Sequence, residues 1–260
     1  MRKGRFWFLL ITDILSILLI VFTIIYHTRY DIYLYIIAGM MLIPNFTMRN
    51  TERSQLVLII GEYAMNADAF KYYDDMVAFY KTLYLTKKAR KMNNIILAMI
   101  KIDMGEIDEA LKMLTELESI IDKANFFNKY NYYRAWCSIY YEKGQANHYK
   151  ILLEELKKII EAAKQPTLRD QMITNYRYIE AKYFIMNGIY LDKARTLYED
   201  TLSNDSTTIM RLVSNYYLGV IYAKENNISK SIEYFKKVAF SDKKLHIVNK
   251  AIKYIEALEK

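Results

Sequence analysis

The stretch YYLGVIYAKENNISKSIEYF (Tyr216–Phe235) contains two short amphipathic helical patterns separated by two asparagines. In the first half, Gly219 and Tyr222 fall on one helical face, because residues three and four apart are neighbours on an α-helix. In the second half, Ser231 and Phe235 share a face for the same reason. The stretch therefore predicts a helical hairpin in which small residues let the two helices approach closely.

The same pattern recurs four times upstream. The equivalent position of the second helix is occupied, at intervals of 37 to 45 residues, by Tyr73, Ala110, Tyr149, Ala194 and Ser231. Each hairpin leaves one apolar face open, so neighbouring hairpins must stack to bury it. The repetition predicts an all-α chain.

The motif resembles the tetratricopeptide repeat. Leu-Gly-x-x-Tyr followed by a small residue and an aromatic residue occurs at Leu218–Phe235, and MGEIDEALKML (Met104–Leu114) is similar to the turn and second helix of that family. The first, third and fourth copies are degenerate, lacking the Leu-Gly pair or the small residue. The resemblance implies an α-solenoid of about five TPR-like helix pairs over residues 51–260.

The last stretch, KLHIVNKAIKYIEAL (Lys244–Leu258), has one apolar and one charged face. A terminal repeat needs a helix that covers its apolar side and presents polar groups to water. We therefore predict a C-terminal capping helix over residues 244–258.

Residues 1–50 are predicted to form a membrane anchor. Phe6–Tyr26 is a 21-residue run with one charge, long enough to span a bilayer and too long for a signal peptide. Ile32–Phe46 is a shorter apolar run, which we interpret as a second transmembrane helix, with a re-entrant or surface-lying helix as the alternative. The two runs predict a transmembrane hairpin.

The basic residues orient this hairpin. Arg2, Lys3 and Arg5 precede it and Arg49 follows it, whereas the turn contains only Arg29. Because positive residues are enriched on the cytoplasmic side, both termini are predicted to be cytoplasmic. We expect an integral protein of a bacterial cell membrane.

A polar stripe runs along the first of these helices through Asp13, Ser16 and Thr23. A carboxylate in the bilayer normally faces protein or water, and hydroxyl residues often lie at helix–helix contacts in lipid. These three residues are predicted to make an intramembrane contact.

Composition argues against several classes of function. The net charge of +8 comes from 37 basic and 29 acidic residues of interspersed sign, whereas nucleic-acid binding usually requires a dense basic stripe. Three separated histidines and one cysteine do not predict a metal site. No phosphate-binding loop or nucleophile motif is present. We expect no nucleic acid, no metal, no cofactor and no enzymatic activity.

Two functions fit the sequence: a membrane-anchored cytoplasmic scaffold or adaptor for protein–protein interaction, and a membrane-tethered regulator that senses a peptide or another ligand. The resemblance implies that the first helix of each pair lines the concave side, where a protein or peptide partner would bind. The corresponding positions are Met99, Asn131, Arg134, Tyr141, Tyr176, Tyr183 and Tyr216. The alternative for the tyrosines is that they reflect composition and helix packing.

Overall fold

The computed structural model describes residues 11, 14–18, 50–83, 86–204 and 207–259. These residues are almost entirely helical, and the only β-type pairing among them is an isolated bridge between Asp68 and Lys244. In chain order the helices from residue 50 onward are α1 (50–66), α2 (Ala69–Thr82), α3 (Lys87–Met92), α4 (Asn94–Met104), α5 (Ile107–Thr115), α6 (Glu118–Ile121), α7 (Phe126–Glu142), α8 (Ala146–Ala162), α9 (Pro166–Asn187), α10 (Leu191–Ser203), α11 (Thr208–Lys224), α12 (Ile228–Ala239) and α13 (His246–Leu258). The all-α prediction is confirmed.

Helices that follow each other in the chain pack against each other, as the repeated pattern predicts. The predicted hairpins correspond to α1–α2, α4–α5, α7–α8, α9–α10 and α11–α12. Contacts also join successive pairs, through α2 with α4, α5 with α7, α8 with α9, and α10 with α11. The short helices α3 and α6 were not predicted; they lie in the connections before α4 and before α7.

The two asparagines of the opening stretch make its turn. Asn226 adopts a left-handed conformation with φ 59°, which asparagine tolerates better than most residues. The side chain of Asn227 then caps α12 by accepting a hydrogen bond from the backbone N–H of Lys230 at 3.3 Å. The chain therefore reverses within two residues.

The small residues of this hairpin lie at the crossing of its helices. Ser231 is fully buried, and its hydroxyl donates to the carbonyl oxygen of Gly219 at 2.8 Å. A Cβ atom on Gly219 would lie 2.8 Å from the ring of Phe235, which is too close for ordinary packing. The close approach predicted from the sequence is thus present.

The last helix, α13, packs against α12, and it also contacts α4 of the second pair. Just before α13, the backbone N–H of Lys244 donates to the carbonyl of Ala67, and the carbonyl of Lys244 accepts from the N–H of Ala69, each at 3.2 Å. The ammonium group of Lys244 lies 3.0 Å from a carboxylate oxygen of Asp68. The first pair and the capping segment are therefore joined directly.

The predicted membrane helices at 6–26 and 32–46 lie outside the described residues, apart from residues 11 and 14–18. Asp13 and Thr23 belong to this undescribed part. Within the described segments, every helix is too short or too polar to cross a lipid bilayer.

Ser16 belongs to the described helical residues 14–18 and is fully buried. Its neighbours Ile14, Leu15, Ile17 and Leu18 are 47% to 59% exposed. This short segment thus turns its polar side chain towards the protein and its apolar side chains outward.

Candidate functional site

A branched cavity lies between the first helices of the pairs. Its wide lobe has a volume of about 360 Å³ and its central lobe about 270 Å³. A narrow lobe of about 90 Å³ extends towards α13. Tyr63 of α1 and Asp103 of α4 line all three lobes, so the lobes are adjacent to one another.

Two basic side chains line the central lobe. Arg134 extends from α7 and Lys182 from α9, and neither forms an ion pair or side-chain hydrogen bond with any residue that the structure describes. The ammonium group of Lys182 lies over the rings of Tyr217 and Tyr141, 5.1 Å and 6.0 Å from their centroids. Burial lowers the pKa of Lys182, and the charge of Arg134 lowers it further. An anion bound in this lobe would offset both effects and favour the charged form of Lys182.

An acidic side chain faces the same lobe. Asp103 accepts a hydrogen bond from the hydroxyl of Tyr63 at 2.7 Å, and its side chain keeps contact with solvent although protein surrounds it closely. Burial raises the pKa of Asp103, while its hydrogen bond to Tyr63 and the charges of Lys182 and Arg134 act in the opposite direction. The central lobe thus contains an acidic side chain and two basic side chains, and Asp103 forms no direct salt bridge with Arg134 or Lys182.

Side chains of α7 and α13 meet beside the narrow lobe, which Glu142 and His246 line. Lys250 donates to both carboxylate oxygens of Glu142, at 2.9 Å and 3.1 Å, and His246 lies 3.6 Å from one of them. Burial opposes ionisation of Glu142, but His246 and Lys250 outweigh it and lower the pKa of Glu142 to about 2. We call Glu142, His246 and Lys250 the α7–α13 latch.

Four of the seven side chains predicted to form a binding groove line this cavity. Met99 and Arg134 border the wide and central lobes, Asn131 borders the wide lobe, and Tyr141 borders the narrow lobe. The amide of Asn131 is mostly committed to its own helix, since it donates to the carbonyl of Phe127 at 3.1 Å.

The other three, Tyr176, Tyr183 and Tyr216, line none of these lobes. Tyr216 is 1% exposed and packs against the ring of Phe235, with a centroid distance of 5.8 Å. Tyr183 stacks on Tyr149 at 6.1 Å, and Tyr176 packs at the edge of the same core. Their placement fits the alternative in which these tyrosines serve helix packing.

The residues that sequence reasoning missed are immediate neighbours of those it chose. Asn175, Lys182 and Tyr217 line the lobes, one position before Tyr176, one before Tyr183 and one after Tyr216. One residue turns an α-helix by about 100°, so an error of one position exchanges the cavity face for a packing face. The position of Asp103 at the cavity could have been predicted, because Asp103 lies one helical turn after Met99 and so on the same face of α4.

The central lobe brings together polar side chains from α7 and α9. In the structure, Arg134, Asn175 and Lys182 line one lobe together. In the described part of the chain, no group of three His, Cys, Asp or Glu side chains is placed to hold a metal ion.

No protein-family model, curated protein or solved structure matches this chain. The resemblance to tetratricopeptide repeats therefore depends on the sequence motifs alone, and the cavity is the feature that bears on function.

Proposed function

We propose that this chain is a membrane-tethered regulator that senses a small ligand or short peptide in the cavity between its first helices. The observation that carries the proposal is a pair of half-buried cations, Arg134 and Lys182, that line one lobe without an anionic partner among the described residues. Both side chains are still partly exposed to solvent, and charge-assisted hydrogen bonds to an anion are stronger than those between neutral groups. A ligand with an acidic group would therefore be favoured beside them.

The size of the cavity favours a small ligand over an extended partner. The wide lobe of about 360 Å³ lies at the lower end of the range of ligand pockets, roughly 300–1,000 Å³, and the central lobe of about 270 Å³ falls just below it. The contact of Lys244 with Asp68 joins the first pair to the capping segment. A folded protein partner would not fit inside.

The helix order supports a TPR-like α-solenoid as the scaffold of this site. The lobes are lined mainly by α1, α4, α7, α9 and α11, which are the first helices of the five pairs. In a stack of helix pairs this arrangement places side chains from each repeat on a common concave surface. A ligand in the cavity would contact several repeats at once. Its binding would therefore favour one particular spacing between those repeats.

Membrane attachment completes the proposal. The apolar run Phe6–Tyr26, with Ser16 turned inward and its apolar neighbours outward, is the pattern of a helix that faces lipid. We propose that residues 51–260 lie in the cytoplasm. A reporter that is active only outside the cytoplasm, fused after Lys260, should be inactive; activity would show that only one helix spans.

The scaffold or adaptor function remains a second candidate because α1 exposes apolar side chains. Val57, Leu58 and Met65 are 62% to 67% exposed. If they bind a protein partner, replacing Val57 and Leu58 with Ser should remove a partner recovered with the wild-type protein from a detergent extract. Such a change should leave cavity ligands in place.

The test of the sensing function is the chemical identity of what the cavity holds. Full-length protein is purified in detergent and denatured, and the released small molecules are measured by mass spectrometry. We expect a compound in stoichiometric amount that is lost in Arg134→Met and in Lys182→Met. Lys150→Met, at an exposed position on α8, is the matched control and should retain it. Equal recovery from all variants would place the binding site elsewhere.

A further inference from the structure

We infer that the central lobe binds a small zwitterion with an apolar side chain, such as an α-amino acid or a dipeptide. Arg134 and Lys182 receive its carboxylate, and Asp103 receives its ammonium group. This inference rests on the proposed ligand-binding function and specifies the class of ligand.

The carboxylate half of the site is formed by α7 and α9. Hydrogen bonds between charged donors and carboxylates are shorter and stronger than neutral ones. Arg134 has five N–H donors in a planar fork that matches a carboxylate, and Lys182 adds three. In the described residues these donors have no carboxylate partner, and the aromatic faces of Tyr141 and Tyr217 hold Lys182 in place.

The ammonium half of the site is Asp103. A carboxylate offers about four lone-pair positions, and the hydroxyl of Tyr63 occupies one of them at 2.7 Å. The remaining positions are open to a ligand in the lobe. A ligand ammonium group would offset the burial that disfavours the charged form of Asp103.

The closeness of the two halves limits the length of the ligand. Asp103, Arg134 and Lys182 all line one lobe of about 270 Å³. The terminal charges of an extended peptide lie farther apart with each added residue, by about 3.3–3.6 Å. Only a ligand whose ammonium and carboxylate groups are separated by few bonds can satisfy both halves within this lobe.

The rest of the lobe is suited to an apolar side chain. Met99, Ile179, Ile209 and Val213 contribute to its lining. The hydroxyl of Tyr198, from the same lining, is buried and has no hydrogen-bond partner in the described structure. It is one more polar atom that a bound ligand can satisfy.

The experiment uses full-length protein in detergent and four sets of probes that differ only in their charged groups. The zwitterions are leucine, phenylalanine, leucyl-leucine and phenylalanyl-leucine; each is compared with its N-acetyl and its C-terminal amide derivative by isothermal titration calorimetry. We expect at least one zwitterion to bind. Its two blocked derivatives should bind about tenfold more weakly or worse, because each lacks one charge-assisted contact.

Variants of the protein test which side chain contacts the ammonium group of the ligand and which contacts its carboxylate. Asp103→Asn keeps the shape and the contact with Tyr63, and it should abolish the preference for the zwitterion over the N-acetyl derivative. Lys182→Met should weaken the preference over the amide, because Arg134 alone then contacts the carboxylate. Lys150→Met should change neither preference, and circular dichroism confirms that each variant is folded.

Two results would overturn the inference. Equal binding of zwitterions and blocked derivatives would show that the cavity does not distinguish ligands by their ammonium and carboxylate groups. The proposed ligand-binding function would then still stand. Failure of every probe to bind also rejects the zwitterion class, and the mass-spectrometric experiment on released compounds then decides separately whether the cavity holds another kind of ligand.

Discussion

Replacing Glu142 with Gln should weaken the α7–α13 latch beside the narrow lobe. Glu142 accepts two hydrogen bonds from Lys250, at 2.9 Å and 3.1 Å, and its side chain is 18% exposed. Gln has nearly the same shape but no charge. The substitution therefore removes the ion pair without opening a cavity.

The pKa of Glu142 sets the magnitude of this effect. The latch lowers the pKa from its ordinary value of 4.5 to about 2. Because a tenfold change in an acid dissociation constant corresponds to about 1.4 kcal/mol, the carboxylate contributes at most about 3 kcal/mol to the free energy of unfolding near neutral pH. Because Gln retains one acceptor, we expect a loss of about 2 kcal/mol, within the range for hydrogen bonds to charged groups.

The pH dependence gives the prediction a direction. Since the folded pKa lies below the unfolded pKa, the unfolded state binds more protons between about pH 2 and 4.5. The stabilisation is complete above that window and is lost as the pH falls through it. The difference in unfolding free energy between wild type and Glu142→Gln should therefore be largest at about pH 7 and smaller at about pH 3.

Urea titration followed by circular dichroism measures both free energies. The control is Glu155→Gln, because Glu155 pairs with Lys158 at 2.7 Å on the exposed surface of α8, where ion pairs contribute little. A difference for Glu142→Gln that is no larger than that of the control, or one that does not shrink at low pH, would refute the latch.

Three further predictions concern the packing of the helices. Gly219→Ala should lower the free energy of unfolding by about 1 kcal/mol, because overpacking against Phe235 exceeds the gain in helix propensity; a stabilised variant would contradict the close crossing. Tyr149→Phe should cost about 1–2 kcal/mol by removing the buried hydrogen bond from its hydroxyl to the carbonyl of Ile179 at 2.7 Å, and an unchanged urea midpoint would argue against that bond. Cys137, whose pKa burial raises to about 12, should react with a maleimide only after denaturation; rapid labelling of the native protein would show that α7 is open.

The helix pairs could be predicted because their signal is local. Asn226 and Asn227 stand between two apolar faces, and their turn depends only on residues within a few positions of them. Ser231 at the crossing was predictable for the same reason, since a small residue followed by an aromatic one four positions later describes one helix face. The short helices α3 and α6 were missed because connections of this length carry no repeated pattern.

The face of each helix that borders the cavity was harder to predict. α9 and α11 carry aromatic side chains on several sides, so apolar character alone does not define their orientation. Tyr216 and Tyr217 are both buried, yet only Tyr217 reaches a lobe. Their sequence environments are nearly identical, and the difference arises from how far α11 is rotated against its neighbours.

The charges that give the cavity its chemistry depend on closure of the whole stack. Asp103 and Lys182 belong to the second and fourth helix pairs, and each by itself resembles a solvated charge on a polar helix face. They line one lobe because successive pairs stack in order and because Lys244 ties the capping segment back to Asp68. A sequence motif records neither of these long-range contacts. Tyr141, whose ring lies below the ammonium group of Lys182, and Glu142 are adjacent residues at the end of α7. A substitution that breaks the latch at Glu142 should therefore change ligand binding at Arg134 and Lys182 as well as stability.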